Sequence, residues 1–226
     1  MARSVIVTGG FGVLGAAVAQ AFAAAGDKIA RVDFAKTAHE PLDGALDIGG
    51  VDLTDAASTQ DALDKVATAH GAVDVLVNVA GGFTWETLED GSIDAWVRMQ
   101  AMNLLTGATI TKLALPALKA SAAGRIVNIG AGAAGKAAAG MGAYTASKSG
   151  VHRLTEALSE ELSGTAITVN AILPSTIDTP TNRADMPDAD FATWVQPSAI
   201  ADVIVFLASA EARAISGALI PVTRGG

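Results

Sequence analysis

SVIVTGGFGVLG, residues 4–15, is the stretch whose reading decides the fold. Val5–Val7 form a short apolar run bounded by a glycine-rich turn, and an apolar, alanine-rich segment resumes at Val13. A strand, a tight turn and the start of a helix fit that order. Gly10, Gly12 and Gly15 have the G-x-G-x-x-G spacing, which lets backbone N–H groups approach a pyrophosphate at a helix N-terminus. A GK[ST] continuation is absent, so the turn is not a Walker phosphate loop.

The rest of the chain repeats this alternation. VIV (5–7), IARVD (29–33), VDVLVNVA (73–80), RIVNIG (125–130) and ITVNAILP (167–174) read as buried parallel strands, with ALIPV (218–222) closing one edge. Between them, 13–25, 55–70, 92–120, 143–163 and 197–209 are amphipathic helix candidates. The pattern predicts an α/β fold: a Rossmann-type doubly wound parallel sheet in three α/β/α layers, as one domain over 1–226. Residues 175–196, rich in Thr, Asp and Pro, are expected to be a long irregular loop acting as a lid over the substrate.

Composition narrows the function classes. Half of the 226 residues are hydrophobic, enough for one compact core without staples. Cysteine is absent, which excludes disulfides and thiolate chemistry and fits a reducing cytoplasm. His39, His70 and His152 lack ligand spacing, so no metal site is expected. A formal charge of −8 without a basic stripe argues against nucleic acid. Alanine-rich stretches are interrupted well before the ~20 apolar residues of a membrane span, and MARSVIVTGG is too short for a signal-peptide core. The expectation is a cytoplasmic, soluble protein.

Asp33 ends the second strand eighteen positions beyond Gly15. A carboxylate there can accept both hydroxyls of an adenosine ribose and repels a 2′-phosphate, so NAD(H) is favoured, with NADP(H) not excluded. Arg31, on the same strand face, complicates that reading. Tyr144, the only tyrosine, and Lys148 stand four apart, on one face of a helix. An ammonium there is expected to favour the phenolate and bring the phenol towards the working range, as proton donor or acceptor.

The glycine turn, VDLTD (51–55), NVAGG (78–82), YTASK (144–148) and NAILP (170–174), in this order over essentially the whole chain, resemble the short-chain dehydrogenase/reductase family. The resemblance implies an NAD(P)-dependent oxidoreductase. Tyr144 would be the acid/base, Lys148 its electrostatic support and ribose ligand, and Asn103 the anchor of a proton-relay water. It implies a cofactor site of Gly9, Gly10, Gly12, Leu14 and Gly15 at the turn, Asp33, Asp52 with Leu53 for the adenine, Asn78, Ala80 and Gly81, and Pro174, Ile177 and Thr179 beside the nicotinamide. It further implies a homodimer or homotetramer through helices 92–120 and 143–163.

The family's serine, thirteen residues before the tyrosine, is here Ala131, and Thr145 is the only serine or threonine between Ser121 and Ser147. Loss of one oxyanion donor costs ~10²–10³ in rate. The dihydropteridine reductase-like branch also has alanine there, and LPSTIDTPTNRADMPDADFATW (173–194) resembles it too, whereas Asn103 belongs to the typical dehydrogenases. The reading is therefore an NADH-dependent reductase of a quinonoid or conjugated small-molecule acceptor, with Phe83, Trp85, Phe191 and Trp194 as aromatic walls of the substrate pocket around Ala131. The alternatives are an ordinary alcohol dehydrogenase or ketoreductase, and a non-catalytic NAD(H) sensor.

Overall fold

The structure is a computed structural model that describes residues 2–225. Seven parallel strands form one sheet in the order β3-β2-β1-β4-β5-β6-β7. They are β1 (Ser4–Thr8), β2 (Lys28–Val32), β3 (Leu46–Ile48), β4 (Val75–Asn78), β5 (Arg125–Ile129), β6 (Thr168–Pro174) and β7 (Leu219–Val222). The connecting helices are α1 (Val13–Ala24), α2 (Ala56–His70), α3 (Ile93–Gln100), α4 (Thr106–Ala120), α5 (Gly142–Glu161), α6 (Pro180–Asp185) and α7 (Pro197–Leu207).

The period-two alternation of the strands explains why both faces are covered. Ile6, Leu76 and Ile126 meet Leu63 and Val66 of α2, Ile110 and Leu118 of α4 and Leu158 of α5. Their neighbours Val5, Val7, Val75, Val77 and Val127 meet Val18 and Phe22 of α1 and Ile204 and Leu207 of α7. Every residue of β1, β4 and β5 is buried, so these strands show no in–out alternation of apolar and polar residues. The sheet order reverses between β1 and β4, which opens a crevice at their C-terminal ends, where ligands of doubly wound sheets bind.

Three features depart from the sequence reading. β3 pairs with β2 at the edge over three residues, too short for periodicity to reveal. The single helix expected over 92–120 is interrupted by a π-helical turn, Ala101–Leu105; such insertions cluster at functional sites. The segment 175–196 is ordered: it contains α6 and a 3₁₀ turn, Phe191–Thr193. Its base is closed by Asp178, whose backbone N–H donates to Val195 O (2.9 Å) and whose carboxylate accepts from Arg183 (2.6 and 2.7 Å) and Gln196 (2.8 Å).

The glycine turn is held by backbone contact. A Cβ on Gly15 would overlap the Gly9 carbonyl oxygen, whereas one on Gly12 would meet that oxygen at an ordinary 3.5 Å. Gly15→Ala is therefore expected to lower stability in urea unfolding by about 1–3 kcal/mol, the range for overpacking. Gly12→Ala should stay within about 0.5 kcal/mol of the parent.

Candidate active site

The crevice is built around Thr8, the last residue of β1. Its Oγ1 accepts from the N–H groups of Val79 (3.0 Å) and Ala80 (3.1 Å), tying the end of β1 to the loop after β4. Gly9 turns away with φ 62, a conformation that favours glycine, and a Cβ there would lie 2.9 Å from the Ala80 backbone. The resulting cleft of about 1960 Å³ is lined by Gly9, Gly12, Leu14, Gly15, Asp33, Asp52, Leu53, Ala80, Gly81, Ala131, Tyr144, Lys148, Pro174, Ile177 and Thr179, among others. That brings together most of the residues expected at a dinucleotide site.

Two expected cofactor residues serve the framework instead. Gly10 packs against Arg31, whose Cβ would lie 2.7 Å from an added Cβ. Asn78 turns its side chain into the interior, where Nδ2 donates to Asn128 Oδ1 (2.8 Å) and Thr111 Oγ1 (3.0 Å). Neither lines the cleft. Asn78 Nδ2 finds its partners between the sheet and its helices, while Oδ1 has none.

The structure resolves the position of Arg31. Its guanidinium is buried and forms a bidentate pair with Asp47 (2.7 and 2.6 Å), donates to Glu40 O (3.1 Å) and lies over the Phe11 ring at 5.4 Å. It is committed to closing β3 onto β2. The Asp33 carboxylate accepts from the N–H groups of Phe11 and Ala35, both at 2.9 Å, so it is fixed at the rim of the glycine turn.

On the other side of the crevice, α5 begins at Gly142 and presents Tyr144 on its first turn and Lys148 on the next. The Lys148 ammonium is buried and donates to Ile129 O at 2.8 Å. Asn103, in the π turn, holds the 81–82 loop: Oδ1 accepts from Gly82 N (2.9 Å), and Nδ2 donates to Gly82 O (3.1 Å) and Ser147 Oγ (3.0 Å). Gly81 is required where that loop passes, since a Cβ would lie 2.5 Å from Asn103 Oδ1 and 3.4 Å from Lys148 Nζ.

The electrostatics correct the sequence reading. Burial pushes the Tyr144 phenol up to about 12, and the same desolvation pulls Lys148 down to about 8. The Tyr144 phenol is therefore raised and not lowered as expected, with desolvation of the phenolate as the cause.

No hydroxyl from α5 replaces the serine missing at Ala131. Ser147 Oγ donates to Tyr144 O and Thr145 Oγ1 to Met141 O, both at 2.7 Å. Behind Ala131, its N–H donates to Nε2 of the buried His152 (3.4 Å), and burial favours the neutral imidazole.

Of the four aromatic candidates, two reach the cleft. The Phe83 ring stands edge-on to Tyr144 (4.9 Å, 78°), and Trp85 packs where a Gly140 side chain would be. Phe191 and Trp194 do not line it. They pack on each other at 4.7 Å, with Arg183 4.7 Å over Phe191 and Trp194 buried, and so anchor the loop. Three methionines complete the apolar mouth, Met102, Met141 and Met186, which periodicity could not single out because they come from three separate elements. Among the described residues, no group of three or more His, Cys, Asp or Glu could hold a metal, and no helix is long and apolar enough to cross a membrane.

Burial of Lys148 sets a stability test. Its folded-state value lies below the unfolded 10.5, so the native state binds fewer protons; the penalty is complete below pH 8 and fades as pH rises towards 10.5. Lys148→Met is expected to raise stability at pH 7 by the order of 3 kcal/mol, with the gain shrinking by pH 10, as read by urea unfolding at both pH values.

The family model for short chain dehydrogenase matches residues 3–190. D-threitol dehydrogenase of Mycolicibacterium smegmatis is 34% identical, covering 97% of this chain and 91% of that protein. Ligand-free aldohexose dehydrogenase of Thermoplasma acidophilum superposes with a TM-score of 0.90 at 27% identity, covering 99% and 93% of the two chains. The 3-ketoacyl-(acyl-carrier-protein) reductase of Brucella melitensis, complexed with NADH, gives 0.87 at 26% identity, with 97% and 96% covered. These relatives are dehydrogenases and a ketoreductase, and they lend no support to the dihydropteridine reductase-like reading.

Proposed function

The chain belongs to the short-chain dehydrogenase family, and within it we propose an NAD(H)-dependent enzyme that interconverts a secondary alcohol and a ketone. The observation that carries this reading is the convergence of Tyr144 and Lys148 in the cleft that the glycine turn opens, with Asn103 directly behind. The relatives' alcohol and ketone chemistry supports it.

The cleft fits a nicotinamide dinucleotide. The Gly9–Gly15 turn leaves room for a pyrophosphate at the start of α1, and Leu53 and Asp52 flank the adenosine end. Asp33, held by two backbone N–H groups, is an acceptor for ribose hydroxyls, and Arg31 is paired away from any 2′-phosphate. When bound, the cofactor supplies or accepts the hydride. Tyr144 keeps its proton at neutral pH and can donate it to a carbonyl oxygen; in the alcohol direction the phenolate accepts one. The Lys148 ammonium stabilises the phenolate left by proton transfer and is a donor for the ribose. Asn103 keeps the 81–82 loop and α5 in register with each other.

The substrate mouth is apolar and adaptable, formed by Phe83, Trp85, Met102, Met141 and Met186 with the ordered 175–196 segment as its lid. Exposed Ile93, Val97 and Leu105 support self-association through α3 and the π turn as a homodimer or homotetramer. The cysteine-free composition fits the cytoplasm.

Ala131 and the aromatic wall of Phe83 and Trp85 favour one second reading, a conjugated acceptor that needs no second donor. Ala131→Ser separates the two: on a panel of ketones it is expected to raise kcat by about tenfold or more, towards the value of one oxyanion donor. An unchanged ketone rate, with turnover of quinones, would support the conjugated acceptor. Tyr144→Phe should remove at least about 10² of the rate without weakening NADH binding in fluorescence titration. Asp33→Ser should raise the NADPH-to-NADH ratio of kcat/KM about tenfold or more, and an unchanged ratio would overturn the assigned role of that carboxylate.

A further inference from the structure

Tyr144, Lys148 and His152 follow one another at four-residue steps along α5 and so share one face of the helix. The first two line the cleft, whereas His152 lies behind it, buried at 5% exposure. We infer that His152 is a positioning residue for the reaction: as a neutral acceptor it fixes the Gly130–Ala131 wall of the cleft. That role rests on the alcohol–ketone reading.

Residues 129–131 all line the cleft, and each is tied to a neighbouring element. Ile129 O accepts from Lys148 Nζ (2.8 Å), Gly130 N donates to Ile172 O of β6 (2.9 Å), and Ala131 N donates to His152 Nε2 (3.4 Å). The imidazole also packs on the backbone itself: a Cβ on Gly130 would lie 2.6 Å from Nε2 and 2.8 Å from Cδ2. Two successive turns of α5 thus hold the two ends of this segment. At 3.4 Å the Ala131 contact is the weakest of the three, which makes it the one that a change of charge can release.

Acceptance by Nε2 requires the lone pair there, so the ring proton sits on Nδ1. A second proton would turn Nε2 into a donor aimed at the Ala131 N–H and leave that amide without its acceptor. The charged side chains that act on the ring all lie on α5: Arg153 and Lys148 oppose the imidazolium, and Glu156 favours it. β6 and residues 129–135 carry no titratable side chain. Burial is the larger influence and holds His152 below its ordinary 6.5, so the acceptor form prevails at pH 7 and is lost as pH falls below that range. Lys148, at about 8, titrates on the other side of neutrality.

The pH profile of ketone reduction by the full chain at saturating NADH tests this, for the parent, His152→Gln and His152→Leu. The parent is expected to lose kcat as pH falls below 6.5. A glutamine amide oxygen can accept from Ala131 N–H and does not titrate. His152→Gln should therefore stay within about threefold of the parent at pH 7 and hold its kcat down to about pH 5.5. His152→Leu offers no acceptor and should lose about tenfold at pH 7, as for a modest misplacement of the reacting groups. An acid limb that persists in His152→Gln overturns the role, and so does a His152→Leu enzyme as fast as the parent. The first outcome also separates His152 from His39, a histidine that lines the cleft itself. In the parent, the Ala131 amide resonance should shift together with the His152 ring titration in NMR spectra. An amide that ignores the ring overturns the inference whether or not either variant folds. Turnover of no ketone by the parent, with that coupled shift present, would count against the alcohol–ketone reading instead.

Discussion

The close approach of two backbones at the reversal of the sheet is the constraint on which the rest of the molecule depends. The chain leaving β1 must turn within van der Waals contact of Ala80, which Gly9 permits because it carries no Cβ, and Gly15 lets α1 start against the Gly9 carbonyl. Thr8 Oγ1 accepts from the N–H groups of Val79 and Ala80 in the loop after β4. That contact sets the position of α1, the opening of the cleft and the path of the 79–82 loop. Through Gly82 and Asn103, the same loop is tied to the helix that carries Tyr144 and Lys148.

Placing an ammonium beside a phenol in a largely desolvated corner gives both groups values displaced towards their neutral forms, about 12 and about 8. The direction suits a proton donor more than a resident phenolate. It also makes Lys148 a local weakness of the fold. The buried amide–hydroxyl chain Asn78–Asn128–Thr155 beneath it carries no reacting group, yet it ties β4, β5 and α5 together, with Asn78 Oδ1 left without a hydrogen-bond partner.

Ala131 sets this chain apart from the pattern of its family. Its backbone is held from behind by His152, and the Thr145 and Ser147 hydroxyls are spent on backbone carbonyls, so the wall facing the cleft there is methyl and glycine. The methionines around the mouth give a surface that can fit substrates of varied shape.

By itself the sequence determined the parallel α/β architecture, the glycine turn, and the Asp33, Tyr144 and Lys148 positions. These rest on local rules: apolar runs bounded by glycine, and spacing along one helix. Only the tertiary structure decided that Arg31 belongs to Asp47, that Phe191 and Trp194 anchor the 175–196 segment and do not line the cleft, that helix 92–120 breaks at Asn103, and that burial moves the Tyr144 phenol upward. Each of these depends on which distant segments exclude water from a group or offer it a partner. Spacing along a chain cannot encode that, because partners and desolvation arise only when remote segments meet.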